Sequence, residues 1–194
     1  AYLNYGIGRT RNEVTNILLQ GLRRLEYRGY DSAGLAIDGP EDTIVIVKSV
    51  GPVSALAQAA HKRLTELVRN YSCTPQNNGV DHQKPQDTKP LQKHVGLAHT
   101  RWATHGPVCE RNSHPHTSSP KNEFVVVHNG IITNYKEIKA MLEKNGYKFE
   151  SDTDTEVIAK LCLYFYNESV KFNYKPDFKK IVLKVTKVLV RLIN

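Results

Sequence analysis

The stretch Val95-Gly96-Leu97-Ala98-His99-Thr100-Arg101-Trp102-Ala103-Thr104-His105-Gly106 sets an apolar run directly against an arginine, two hydroxyls, two imidazoles and the single tryptophan of the chain. Val95 to Ala98 reads as a strand that ends in a polar loop, His99 to Gly106. Loops carried on rigid strands are where binding and catalytic groups concentrate. Taken alone, Arg101 beside Trp102 is either a structural ion pair with stacking or a planar guanidinium ready to give two parallel hydrogen bonds to a carboxylate ligand.

Outward from this stretch the periodicity alternates between strand and helix. Residues 1–5 alternate as the end of a strand. From Asn12, the positions Val14, Ile17, Leu18, Leu22 and Leu25 recur at helical spacing, with Gly21 on the same face. A polar, glycine-bearing loop from Glu26 to Gly34 leads into a short strand, Leu35 to Ile37, and Asp38-Gly39-Pro40 turns the chain. The β-branched run Ile44 to Val47 predicts a partner strand for Leu35 to Ile37. After Gly51-Pro52, the stripe Val53, Leu56, Ala57, Ala60, Leu64 and Leu67 predicts a helix lying on the sheet. Residues 70–93 lose periodicity and collect prolines and polar residues, so they read as a flexible surface insertion.

Downstream, Phe124 to Val127 reads as a strand and Asn129-Gly130 separates it from Ile131-Ile132. A helix follows with Asn134 as its cap, Ile138 and Leu142 inward and Asn145-Gly146 as its stop. Ser151 or Thr153 caps the next, whose apolar face is Val157, Ile158, Leu161, Cys162 and Phe165. From Asp177, the residues Phe178, Ile181, Val182, Val185, Leu189 and Leu192 predict a last helix. Strands, helices, strands and helices make a layered α/β or α+β chain, and 194 residues suffice for one domain with a real core.

Composition narrows the class. Hydrophobic residues are 40% and charged residues 24%, with no apolar run near the length of a membrane span, as in an ordinary soluble protein. The start has neither a basic n-region nor an apolar h-region, so no secretory signal is read. Cys73, Cys109 and Cys162 are odd in number and unpaired in spacing, which fits a reducing compartment, the cytoplasm, better than a disulfide framework or a zinc site. The net charge of +8 comes from dispersed lysines, densest between Lys175 and Arg191, without a recognition motif. Neither nucleic acid nor a membrane is expected as a partner.

Several residues keep two readings. Asn129-Gly130 between apolar runs is a strong signal for a two-residue β-hairpin turn, and equally an amide beside an open backbone N–H, the pair of donors an oxyanion needs. Six of the eight histidines lie between His94 and His128, but no carboxylate or thiolate at ligand spacing joins them, so no metal and no cofactor is expected. Asp154 is either a charge favoured at a helix N-terminus or a ligand group. Arg28 and Asp31 either stitch a loop to its neighbours or line a site.

Four ordered stretches decide between these readings by resemblance. Leu25-Glu26-Tyr27-Arg28-Gly29-Tyr30-Asp31-Ser32-Ala33-Gly34, the Arg101-Trp102-Ala103-Thr104-His105-Gly106 segment, Val127-His128-Asn129-Gly130-Ile131-Ile132 and Thr153-Asp154-Thr155-Glu156 resemble the class II glutamine amidotransferase (glutaminase) domain of the glutamine-fructose-6-phosphate aminotransferase family. The resemblance runs through nearly the whole chain, 1–194. It implies an α+β fold, a four-layer αββα sandwich of the N-terminal nucleophile hydrolase type, in which an N-terminal cysteine attacks the glutamine amide and its own α-amino group is the base. It further implies that Asn129 and Gly130 form the oxyanion hole, that Arg101 holds the glutamine α-carboxylate and Asp154 its α-ammonium, and that Thr104 and His105 line the same pocket. Arg28 is matched to an arginine beside the nucleophile, Trp102 to a closing loop and His114 to a second covering loop.

The family pattern begins Cys-Gly-Ile-x-Ala-Tyr, whereas this sequence begins Ala1-Tyr2 and stops at Asn194 before the family's later strands and sugar-isomerase domains. The expectation is therefore a glutaminase domain truncated at both ends. Its intact form makes glucosamine 6-phosphate from glutamine and fructose 6-phosphate as a homo-oligomer, and these 194 residues as written are inactive. The alternative is a degenerate module that binds glutamine or a partner without hydrolysing it.

Overall fold

The computed structural model describes residues 1–72, 90–103 and 106–190. It has two compact units: Ala1–Ala103 with Val108–Pro115, and Thr104–Pro107 with His116–Asn194.

Among the described residues, the first unit is an antiparallel sheet with two α-helices. Its elements are β1 (Tyr2–Arg9), α1 (Arg11–Arg23), β2 (Ser32–Asp38), β3 (Ile44–Val50), α2 (Val53–Ser72) and β4 (Leu91–Arg101), in the strand order β1-β4-β2-β3. The predicted pairing of Leu35–Ile37 with Ile44–Val47 is present, antiparallel, within the longer ladder Ser32↔Val50 to Asp38↔Ile44. Ala33, Leu35 and Ile37 point to one face of β2, where they meet Val14, Leu18, Leu19 and Leu22 of α1 and Val53, Leu56, Ala60 and Leu64 of α2. Each of these large side chains, taken fully out of water, contributes about 1.5–3 kcal/mol.

The helix α1 starts one residue before the expected Asn12, because Thr10 and Glu13 form a reciprocal capping box. Two expected face positions differ: Leu25 falls beyond the helix and is 43% exposed, and Gly21 lies on the exposed side. Strand β1 continues to Arg9, past the expected 1–5, with a bulge between Tyr5 and Arg9. The insertion predicted at 70–93 is shorter at both edges, since α2 runs to Ser72 and Leu91–Lys93 already pair in β4; residues 73–89 lie outside the described residues. His94, 1% exposed, locks three elements with Nδ1 2.9 Å from Asp38 Oδ2 and Nε2 2.9 Å from the Arg9 carbonyl.

Among the described residues, the second unit holds a small sheet, β5 (His116–Thr117) with β6 (Val125–Val126), and three helices, α3 (Tyr135–Lys144), α4 (Glu156–Lys171) and α5 (Phe178–Val190). Ile138, Leu142, Val157, Leu161, Cys162, Ile181 and Val185 form its core, as the helical spacings predicted. Phe178 and Val182, expected inward, are 63% and 57% exposed, and Leu192 lies outside the described residues. The caps also differ from expectation. The Asn134 amide precedes α3 but donates to the Val188 carbonyl at 3.0 Å, and α4 begins after Thr155, without a side-chain cap bond. Tertiary partners for these polar groups outcompete the local ones.

Candidate functional site

In the first unit, Asp31 ties together the end of the sheet that carries the opening stretch. Its N–H donates to the Arg101 carbonyl at 2.8 Å and its own carbonyl accepts from Gly51 N–H at 2.9 Å. Its carboxylate Oδ2 accepts from the Ala103 N–H at 2.7 Å. The polar loop expected from His99 is therefore shorter than its composition suggests. His99, Thr100 and Arg101 stay in β4, opposite Gly34, Ala33 and Ser32, because β2 offers them ladder partners. Arg101 is 4% exposed. Trp102 follows it, 66% exposed, with its ring over Gly29: a methyl added there would stand 3.0 Å from the indole.

Arg28 closes a single 3-10 turn, Glu26–Arg28, and is exposed. Its Nε donates to the Tyr27 hydroxyl at 3.0 Å, and its guanidinium sits 5.5 Å from that ring's centre. The preceding Glu26 carboxylate accepts from Val53 N–H at 2.9 Å, the first amide of α2, where the helix dipole favours a negative charge. His114 is buried and stacks on His99 with ring centres 4.2 Å apart. The His114 carbonyl lies where a Cβ at position 34 would be, which is why β2 carries glycine there.

In the second unit, the hairpin reading of Asn129-Gly130 is overturned. Strand β6 ends at Val126, and among the described residues no strand follows at Ile131–Ile132. Gly130 has φ of +146°, while Asn129 has none of the positive φ that both central residues of that turn demand. Both residues are exposed on a loop held from behind. The Ile132 N–H donates to Asp154 Oδ2 at 2.7 Å, and His128 Nδ1 lies 3.3 Å from the Thr155 hydroxyl. A methyl on Gly130 would meet the His128 imidazole at 3.1 Å. Asp154 is thus more than a helix-terminal charge. It is 4% exposed, one oxygen fixes the segment after Asn129-Gly130, and the other faces the Thr155 hydroxyl at 3.5 Å, the outer limit of a hydrogen bond.

Behind Asp154 lies a buried polar chain that helical periodicity did not disclose, although Thr153-x-x-Glu156 has the spacing of a capping box. His116 Nε2 meets Thr153 Oγ1 at 2.9 Å, Thr153 Oγ1 meets Ser151 Oγ at 3.0 Å, and Ser151 Oγ donates to Glu156 Oε2 at 2.6 Å. Glu156 pairs in turn with Lys160 at 3.3 Å, both under 5% exposed. Thr104 and His105 lie outside the described residues. Burial pushes the Cys162 thiol up to about 11, so it is not an activated nucleophile. No described helix is long and apolar enough to cross a membrane.

The chain matches the model of the glutamine amidotransferase domain over residues 51–171. It is 47% identical over 181 residues to glutamine--fructose-6-phosphate aminotransferase [isomerizing] of Saccharomyces cerevisiae, covering 93% of this chain and 22% of the relative. It is 49% identical over 173 residues to the human protein of that name numbered 2, covering 86% of this chain and 22% of the relative. A putative glutamine--fructose-6-phosphate aminotransferase of S. cerevisiae is 41% identical over 189 residues, 97% of this chain and 64% of that protein. The chain thus spans about a fifth of the length of the first two relatives.

Among solved structures, one titled the allosteric regulatory enzyme of purine biosynthesis superposes with a TM-score of 0.60 at 22% identity, covering 96% of this chain and 32% of that one. The glutamine phosphoribosylpyrophosphate amidotransferase of B. subtilis does so with a TM-score of 0.55 at 21% identity, over 96% of this chain and 32% of the other. These likenesses show the fold, an α+β architecture of antiparallel sheet and helices. With 121 residues under the family model and the Asp31 and Asp154 frameworks described above, the chain belongs to the glutamine amidotransferase domain family.

Proposed function

We propose that this domain binds L-glutamine and forms the ammonia-generating part of an enzyme that converts glutamine and fructose 6-phosphate to glutamate and glucosamine 6-phosphate. Arg101 takes the glutamine α-carboxylate in a bidentate pair and Asp154 takes the α-ammonium. Asn129 and the Gly130 N–H stabilise the oxyanion formed when a thiol attacks the amide carbon, and ammonia leaves as the acyl thioester forms. Thr104, His105, Trp102, Arg28 and His114 complete the binding surface, with the sugar-isomerase domains of a longer, oligomeric chain consuming the ammonia.

The observation that carries this reading is the register of β1 on β4. Tyr2 pairs with Gly96, Leu3 with Val95 and Asn4 with His94, so paired residue numbers sum to 98. Continued upstream, that register sets a residue four places before Ala1 opposite Arg101. The family pattern Cys-Gly-Ile-x-Ala-Tyr has its cysteine at that place. A free α-amine there, with a pKa of about 7.7–8.0, serves as the base near neutrality.

The test compares two proteins: Ala1–Asn194 as it stands, and the same chain preceded by Cys-Gly-Ile-Ala after methionine removal. Ammonia and glutamate are measured in equal amounts from the extended chain and none from the shorter one, whose cysteines are Cys73, Cys109 and Cys162. A folded extended chain that binds glutamine without turnover favours the non-catalytic alternative. Turnover by the shorter chain refutes the role of the upstream thiol.

A further inference from the structure

The proposed chemistry assigns Glu156 and Thr153 no contact with glutamine, yet they are among the most elaborately bonded side chains of the second unit. The Glu156 carboxylate receives donors from the Glu150 N–H at 3.0 Å, the Ser151 N–H at 2.7 Å, the Ser151 hydroxyl at 2.6 Å and the Lys160 ammonium at 3.3 Å. That set fills the acceptor capacity of an ionised carboxylate. The turn from Glu150 to Thr155 is consequently wrapped around a buried anion at the first turn of α4, where the helix dipole adds to its stabilisation. Thr153 closes the turn on its other side by bridging the Ser151 hydroxyl and His116 of β5. Asp154 lies between these two anchors, next to Thr153, and its Oδ2 is already committed to the Ile132 N–H.

We propose that Glu156 and Thr153 are positioning residues for recognition of an α-ammonium group: they fix the backbone at 151–155 so that Asp154 keeps Oδ2 on Ile132 and presents Oδ1 to the ligand. This rests on the reading of Asp154 as the ammonium ligand. With Oδ2 held by the Ile132 N–H and Oδ1 facing the Thr155 hydroxyl at the long distance of 3.5 Å, Oδ1 keeps acceptor capacity for a ligand, and a small rotation of the turn would misdirect it. Thr153 fits this role because its hydroxyl is bonded on both sides while its methyl needs no partner. Lys160 pairs with this anchor at 3.3 Å and balances its charge within α4.

The test measures binding of two probes to the full chain by calorimetry: L-glutamine, and 4-carbamoylbutanoate, which is glutamine without its α-amino group. Wild type prefers glutamine by about tenfold to a hundredfold, as expected for a charge-assisted hydrogen bond. Thr153→Val, which keeps shape and removes the bridging hydroxyl, lowers glutamine affinity at least fivefold and leaves 4-carbamoylbutanoate unchanged, and Thr153→Ser restores the preference. Glu156→Gln, which puts an amide donor among four donors, has the same effect to a greater degree, with the thermal midpoint of each variant recorded alongside. Equal loss for both probes, or an unchanged preference in Thr153→Val, overturns the proposal. Failure of wild type to bind glutamine at all refutes the reading of the site itself, and the positioning role with it.

Discussion

The same chemical change, glycine to alanine, has opposite expected effects at two positions of the first unit. Gly34 lies in the middle of β2, paired with Lys48 of β3 on one side and His99 of β4 on the other. A methyl there overlaps the His114 carbonyl and stands 3.0 Å from the Val47 carbonyl oxygen. Both obstacles are backbone, and the first belongs to a segment whose imidazole is stacked on His99. Neither can rotate away, so β2 or the segment around His114 must shift. Overpacking of this kind costs about 1–3 kcal/mol, and backbone on both sides places Gly34→Ala at the upper end, about 3 kcal/mol. For a chain of this size that is a fall of roughly 6–12 °C in melting temperature.

Gly21 lies within α1, and nothing stands within 4 Å of its would-be methyl. Gly21→Ala removes the glycine penalty in a helix and stabilises by about 0.5–1 kcal/mol, roughly 1–4 °C. The assay is thermal and urea unfolding of both variants beside the parent. Equal melting temperatures, or a Gly34→Ala variant within 1 °C of the parent with unchanged cooperativity, would refute the claim that the His114 segment packs directly on β2.

Two further outcomes follow from single contacts. Asp31→Asn weakens a charge-assisted bond to Ala103 N–H worth about 1.5–3 kcal/mol, so the one tryptophan, next in chain, leaves the surface of Gly29. Its emission shifts to the red and acrylamide quenching rises; an unchanged spectrum would remove Asp31 as the anchor of that segment. Cys162, with its thiol raised from 9.0 to about 11 by burial, has about a hundredfold less thiolate at pH 8 than in the unfolded chain, and its alkylation by iodoacetamide slows accordingly. The sign is fixed by linkage: folding favours the protonated thiol, so this contribution to stability is complete below pH 9 and is lost as pH rises from there towards 11. Rapid native alkylation at pH 8 would contradict the packing of α4.

The helices were legible in the sequence because burial of one face writes itself as a period: Val14, Leu18 and Leu22, or Val157, Leu161 and Ile181 with Val185, are core in the structure. Their ends were less so. Asn134 and Thr153 carry the right chemistry for caps, but the Val188 carbonyl and His116 compete for them. Strand ends failed in the same way, since Ser32 and His99–Arg101 are polar and join the sheet only because each supplies the other's ladder. The paired residues lie about seventy positions apart, beyond the reach of any local pattern. Asn129-Gly130 shows the limit most directly. Its sequence fits a tight hairpin equally well, and what excludes the hairpin is a carboxylate at Asp154 that captures Ile132 N–H.

By itself, then, the sequence determined the kinds of residue available, the helical faces and, through four ordered motifs, the family. Tertiary structure alone decided which oxygen meets which hydrogen: that Asp31 secures the arginine-tryptophan stretch, that Glu156 anchors the turn bearing Asp154, and that Gly34 yields its side-chain space to a passing backbone. The physical reason is range. Hydrophobic periodicity is a property of neighbours along one element, whereas a buried hydrogen bond is satisfied by whatever group folding brings within 3 Å, wherever it lies in the chain.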